Sequence, residues 1–395
     1  MKRIRNSSAI VWYFAILPFL FPTGYANYYP VYKKMVVGML GIALVIILAR
    51  EIYLIIANQG KIKVNFALIA LIVSEVILLV VTLSVQGTVT QGLQKIIVIP
   101  VLCFFLDETC RKDLWYVINV ICNILILDFA LNLFFFNQWL VPKYFLIENH
   151  IMFIGHVQVA AEIAILGIFV AYIEYSYGVH KRKSIVLFIL AMLTMLYAQT
   201  IASFMSIGLL AIFSLLGRNR GFKKYINKHI YFYSFMQIVI SYVLINIQEI
   251  HLFSKYRAVI NAFFNGRPFI WSEGWELFEK RKFFGYGAYG VLIKPFWSAW
   301  SSNKLGFNYA HNTLLQLMLD GGIVLAIAFI ITVALYIREL KKTDMCSNAK
   351  YVAYVLLLIF LSIGLFESLT EYFYFFIFLS ILPFLGEIDE NKSLA

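Results

Sequence analysis

What this chain has little of is charge. Asp, Glu, Lys and Arg make up 14% of its 395 residues, against about 25% in an ordinary soluble domain, which excludes a fully solvated globular protein. Cysteine is scarce too. Cys103, Cys110, Cys122 and Cys346 lie in apolar segments or in connections placed below on the cytoplasmic side, so no disulfide framework is implied. The chain has no Walker glycine loop, dinucleotide fingerprint, His-Glu-x-x-His helix or paired-cysteine pattern. ATP hydrolysis, a redox cofactor and a structural zinc therefore lack their residues, and neither cofactor nor metal is expected. Nucleic acid is not an expected partner, because the basic clusters follow from topology and no recognition fold has room to form.

What is present is apolar surface. Hydrophobic residues make up 62% of the chain, with 36 Phe and 25 Tyr, and the mean hydropathy is +0.82. Apolar runs long enough at 1.5 Å per residue to cross a ~30 Å hydrocarbon layer recur throughout, with aromatic anchors for both interfaces. The sequence predicts an all-α, polytopic membrane protein of about twelve helices, at 8–21, 35–56, 64–85, 93–106, 114–136, 151–175, 184–198, 201–216, 230–247, 311–337, 351–368 and 372–385. The basic start and the small-x-small sequence Gly24-Tyr25-Ala26 are also compatible with a cleaved signal. A retained first span is the expectation.

Orientation follows from lysine and arginine in the short connections. One set carries Lys61 and Lys63; Arg111 and Lys112; His180-Lys181-Arg182-Lys183; Arg218, Arg220, Lys223 and Lys224; and Arg338, Lys341 and Lys342. The opposite set, including Gln86-Gly87-Thr88-Val89-Thr90 and Glu367-Ser368-Leu369-Thr370-Glu371, is poor in positive charge, Lys33 and Lys34 excepted. Both termini are expected in the cytoplasm. The division is 1–247, helices one to nine; 248–310, a large extracytoplasmic loop; and 311–395, helices ten to twelve.

Residues 248–320 hold the longest polar interval. Its Lys255, Arg257, Arg267, Lys280, Arg281, Lys282, Lys294 and Lys304 outnumber Glu249, Glu273, Glu276 and Glu279, a basic excess that suits an anionic ligand such as a diphosphate. The plainer reading is that long loops translocate regardless of charge. Pro268 suits a first helical turn, and Trp271, Trp275 and Phe278 follow at helical spacing, with Glu276 and Lys280 four apart. An amphipathic helix over 268–283 is expected, lying at the membrane interface or packed on its neighbours. Gly285 and Gly287 supply a turn that tolerates positive φ.

His311 stands where this loop meets an apolar helix. An imidazole there can accept a hydroxyl proton or orient a phosphate oxygen, although many boundary histidines are merely interfacial. Asn308, Tyr309 and Asn312 add polar groups beside it, and Asp320 lies deeper with Gly321-Gly322. A carboxylate in a span is costly, so it serves function or has a buried partner. Arg267, after a free glycine, is a planar fork suited to phosphate oxygens. Arg257 is of the same kind, and the plainer reading of both is a surface or snorkelling arginine. Glu75, Asp128 and Glu162, with Asn123, Asn132 and His156, line a translocation path or act as interhelical hydrogen-bonding glue. Glue is expected for Glu75 and Asp128; Glu162 and His156 stay open.

Gly266-Arg267-Pro268-Phe269-Ile270-Trp271, then Phe284-Gly285-Tyr286-Gly287, then His311-Asn312-Thr313-Leu314-Leu315-Gln316 with Gly321-Gly322, together resemble the O-antigen ligase and polymerase superfamily. The resemblance covers essentially the whole topology, and its specificity lies in the order and placement of short motifs. It implies an all-helical enzyme that transfers undecaprenyl-diphosphate-linked glycan on the outer face of a bacterial inner or plasma membrane, without nucleotide or obligatory metal. The leading expectation is a Wzy-type polymerase of capsule, exopolysaccharide or O-antigen repeats, with inversion at the anomeric carbon. A ligase acting on a terminal acceptor, and a secondary transporter or lipid-linked sugar flippase, are the alternatives.

By the same resemblance His311 is the base or orienting group and Arg267 holds the diphosphate. Arg257, Asn312, Tyr309 and Lys294 are the candidate substrate-binding residues. A flippase and a chain-length regulator are the implied protein partners. One departure is visible: relatives carry an arginine beside a serine where this chain has Thr200-Ile201-Ala202-Ser203-Phe204-Met205-Ser206. Arg257 or a loop lysine would have to supply that charge.

Overall fold

The computed structural model describes residues 6–27, 29–57, 64–85, 87–135, 151–177, 180–294, 307, 309–343 and 347–386. Lys61, Lys63, Gln86, Lys304, Asn308 and Cys346 lie outside the described residues. In chain order the helices are α1 Asn6–Leu20, α2 Pro30–Ala57, α3 Phe66–Ser84, α4 Val89–Leu93, a π-helical turn Gln94–Val98 and α5 Ile99–Phe135. A two-stranded hairpin, Ile151–Met152 with Gly155–His156, precedes α6 Val159–Tyr177, α7 Lys181–Ala198, α8 Ile201–Leu216 and α9 Arg220–Ile245. Then come the short α10 His251–Ser254 and α11 Arg257–Phe263, α12 Arg267–Lys280, α13 Thr313–Lys342, α14 Ser347–Ile363 and α15 Tyr374–Ile381. Apart from that hairpin and an isolated bridge, Ile293 with Phe307, the described fold is helical.

Among the described residues six helices are long and apolar enough to cross a membrane, and Ile201–Leu216, Ser347–Ile363 and Tyr374–Phe384 are shorter apolar helices. This is a multi-pass membrane protein. The sequence's larger count differs partly because spans expected at 93–106 and 114–136 fall in one helical run, Gln94–Phe135. At 1.5 Å per residue a run of 42 residues reaches roughly 63 Å, about twice the ~30 Å hydrocarbon layer. Asp113 divides it, leaving helical angles at φ −157°, ψ 80° and accepting a hydrogen bond from Tyr116 N at 3.0 Å. The expected span 351–368 stops as a helix at Ile363, and the freed chain turns instead toward His311.

The core runs along α5, α6, α13, α14 and α15, where Phe129, Phe169, Phe360, Phe375, Phe376 and Phe378 are fully buried. Helix α2 keeps an exposed apolar flank including Val37, Ile42, Val45 and Ile52, as a lipid-facing helix does.

Two local devices shape the polar end. Helix α12 begins where the sequence predicts, with Pro268 in its first turn and Gly266 at φ 77° before it. Ile270, Trp271 and Phe278 form its buried face, and Gly274 lets α13 close in: a Cβ there would meet Leu315 Cδ2 at 2.9 Å. Helix α13 is broken at Gly321 and Gly322, the latter at φ 68°, ψ −165°. Its freed carbonyls at Leu319 and Asp320 accept from Tyr286 N and Gly287 N, both at 2.8 Å, while Ile323 N donates to Lys282 O at 2.8 Å. The Gly-Tyr-Gly turn and the Gly-Gly break thus satisfy each other's backbone.

Candidate functional site

The site forms where α9 and α14 end and α13 and α15 begin. Asn312 is the N-cap of α13, its Oδ1 accepting from Leu315 N at 3.0 Å and from Ser241 Oγ at 3.0 Å. An asparagine in this position satisfies one of the helix's orphan N–H groups. Its Nδ2 donates to Leu365 O at 3.1 Å, which ties the cap to the strap that follows α14. Thr313 adds two bonds to that strap: N to Gly364 O at 2.8 Å and Oγ1 to Glu367 O at 2.9 Å.

These bonds aim Glu367 at His311. His311 Nδ1 lies 3.2 Å from Glu367 Oε2, and Arg267 Nη2 lies 2.5 Å from Glu367 Oε1. All three residues are buried. An ionised carboxylate only accepts, so the bond assigns the proton to His311 Nδ1 and leaves Nε2 as the neutral ring's acceptor. Burial works to raise the Glu367 carboxyl's pKa, but the hydrogen bond from His311 and the Arg267 guanidinium hold it below the usual value. The Tyr309 hydroxyl is pushed the other way, by burial first and then by the Glu367 and Glu371 carboxylates.

His311 is held in the left-handed region, at φ 50°, a conformation that costs a non-glycine residue of order 1 kcal/mol. Its surroundings impose it. Trp271, with no exposed surface, donates its indole N–H to the His311 carbonyl at 3.3 Å. The Tyr309 ring packs 4.2 Å from the imidazole, centroid to centroid, and Phe307 lies at 5.9 Å. Below the cap, an apolar cavity of about 150 Å³ runs between α9, α13 and α14 past Ser241, Thr313, Leu317, Gly364 and Leu369. A larger cavity, about 650 Å³ between α6, α7, α8 and α14, contains none of these residues.

Of the residues singled out from sequence, His311, Arg267, Asn312 and Tyr309 come together. Arg257 is exposed and donates to Gln248 O through Nε at 3.2 Å and Nη2 at 2.9 Å, and Lys294 is exposed beside the Ile293 bridge. Neither has a contact with His311 among the described residues. Arg267 spends Nη2 on Glu367, while its Nε has no partner among the described residues.

Sequence reasoning missed Glu367, whose connection it read only as poor in positive charge. The signal was a carboxylate in the connection before the last span, without a nearby basic partner. Asp320 does have a buried partner, Lys95, at 2.8 Å. Asn123 acts as interhelical glue, its Nδ2 donating to the Tyr13 hydroxyl of α1 at 2.5 Å, while Asn132 Oδ1 accepts from Ile154 N in the hairpin turn at 3.2 Å. Glu75 Oε2, Asp128 Oδ2 and both Glu162 oxygens have no hydrogen-bond partner among the described residues, so that role is not visible for them.

A many-helix membrane protein with a buried histidine–carboxylate–arginine group at the broken end of its bundle is thus defined. Residues 185–330 match the family described as O-antigen ligase, a span that includes Arg257, Arg267, Lys294, Tyr309, His311 and Asn312. The match covers this span alone, and over it the chain is similar to the O-antigen ligase/polymerase superfamily. No curated protein and no solved structure matches the chain.

Proposed function

We propose that the protein is a polymerase that joins undecaprenyl-diphosphate-linked oligosaccharide repeat units on the outer face of a bacterial inner or plasma membrane. The observation that carries this reading is the Glu367-oriented imidazole of His311, 3.2 Å from the carboxylate, within the matched span. His311 Nε2 takes the proton of an acceptor sugar hydroxyl as its oxygen attacks the anomeric carbon of the donor. The bond from that carbon to the diphosphate breaks, its electron pair leaves on the diphosphate oxygen, and the carbon is inverted. Arg267, through the donors that Glu367 does not occupy, faces the leaving diphosphate, with exposed Arg257, Lys280, Arg281, Lys282 and Lys294 as the wider cationic field. The apolar cavity below Asn312 offers the polyprenyl tail a wall. On this reading both termini are cytoplasmic and residues 248–310 are extracytoplasmic, with a flippase supplying the donor and a chain-length regulator as a neighbour.

The test is reconstitution of the purified protein with a lipid-diphosphate repeat unit. A polymerase yields a ladder of many rungs. A single transfer to a terminal acceptor would replace this reading by a ligase, and lipid movement without transfer would replace it by a flippase. His311→Ala is expected to abolish the ladder while expression is retained; undiminished products would remove His311 from the mechanism.

A further inference from the structure

One strongly buried charge is not accounted for by the transfer chemistry. Lys95 sits on the π-helical turn between α4 and α5, and its side chain is 2% exposed. Its ammonium lies 2.8 Å from Asp320 Oδ2 and 2.5 Å from Glu371 Oε1, and 4.8 Å from the centre of the Tyr289 ring. A lysine tip carries three donors on one compact charge, so a single residue can hold two carboxylates from different segments. A π-turn redirects a side chain that a regular α-helix would point elsewhere, and such turns are frequent at functional sites.

Each carboxylate starts a chain of bonds. Asp320 Oδ1 accepts from Gln316 Nε2 at 2.9 Å, and Gln316 Oε1 accepts from Ala310 N at 2.8 Å, the amide of the residue before His311. Glu371 accepts from the Tyr289 hydroxyl at 2.5 Å and, through its carbonyl, from Gln94 Nε2 at 2.5 Å. It closes the 3-10 turn Leu369–Glu371. Leu369 N donates to Thr313 Oγ1 at 3.0 Å, and that hydroxyl donates to Glu367 O at 2.9 Å. The first chain thus ends at the amide of Ala310, the residue before His311, and the second at the carbonyl of Glu367, on the two sides of the 3.2 Å His311–Glu367 contact.

We propose that Lys95 is a positioning residue for transfer, setting the distance and angle between His311 and Glu367 through these two chains without touching substrate. The proposal rests on the glycosyl-transfer reading only for its kinetic half. Its geometric half concerns His311 alone and is measured without turnover.

The experiment uses the full-length protein in lipid nanodiscs with ¹⁵N-labelled histidine, the His311 ring signals being assigned by their loss in His311→Ala. Lys95→Met is expected to shift the His311 ring nitrogen signals and to lower kcat for chain extension about 100-fold, the scale of a small misplacement of a reacting group. KM for the lipid-linked donor is expected to stay within about twofold, because no binding contact is removed. Gln316→Met, which cuts only the first chain, is expected to move the same signals less, and it decides the matter should Lys95→Met fail to fold. Folded variants whose His311 signals match the unmodified protein would overturn the proposal, as would an equal rise in KM accounting for the whole loss. Shifted signals in a protein that transfers no glycan would instead overturn the polymerase reading and leave the role of Lys95 standing.

Discussion

Glu367 has two partners and one task. Its Oε1 takes Arg267 and its Oε2 takes His311, so it fixes the ring's tautomer while Arg267 offsets its charge. Glu367→Gln keeps the shape and loses the charge, and is expected to lower kcat by about 10²–10⁴, the usual worth of a positioned acid–base group, with folding intact by size-exclusion and circular dichroism. Glu367→Ala strands Arg267 in a buried site and is expected to cost a further ~3–5 kcal/mol of stability, read as a lowered unfolding temperature. The pH response follows from the same contacts. Because the folded carboxyl titrates below its usual value, the unfolded chain binds the extra proton first. The stabilisation is therefore complete above about 4.3, the unfolded value, and drains away as pH falls through the lower folded value. Thermal unfolding from pH 7 to pH 3 should show this loss in the native protein and not in Glu367→Gln. The histidine was legible in the sequence because it sits beside an N-cap asparagine at the start of an apolar run. Its carboxylate was not, since 56 positions separate them and nothing local predicts that contact.

At the scale of elements, the Gly-Tyr-Gly turn and the broken helix α13 make one unit. A Cβ on Gly285 would stand 2.4 Å from Leu319 O, and one on Gly322 would stand 2.1 Å from Phe283 O. Both glycines have positive φ, so strain adds to the clash. Gly322→Ala is expected to destabilise by at least ~2 kcal/mol and to expose the amide of Ile323, which now donates to Lys282 O, to hydrogen exchange. Protection of that amide equal to the unmodified protein would contradict the docking. The sequence made Gly285 and Gly287 visible as a turn and placed the start of α12 within a residue, while Gly321-Gly322 read as part of an unbroken span over 311–337, which the structure breaks. The docking of the two was hidden, because the apolar run on both sides of Gly321-Gly322 reads as one continuous span until the Gly-Tyr-Gly turn is brought against it. The strap after Ile363 was hidden for a related reason: its Leu365, Phe366 and Leu369 are as apolar as the helix before them, and hydropathy alone extends the span through them.

For the whole molecule, composition dictated an all-helical membrane protein, and the structure agrees. Span counting by hydropathy was weaker where a break such as Asp113 decides whether one run is one crossing or two. Lys95 and Asp320, 225 positions apart, were likewise paired only by the packing of the bundle. Orientation is open to a direct test. A cysteine replacing Lys255 is expected to react with a membrane-impermeant maleimide in intact cells, and one replacing Arg218 only after permeabilisation, both being exposed positions. The reverse pattern would invert the topology and place His311 on the cytoplasmic face.

One further consequence attaches to Trp271, whose indole is fully enclosed and hydrogen-bonded to the backbone of His311. An enclosed indole bonded to the backbone of the proposed base is a built-in optical gauge. In a variant where the other tryptophans are replaced by phenylalanine, the wavelength of its emission would register the arrival of a glycan at His311 in real time, with no label added and no product formed.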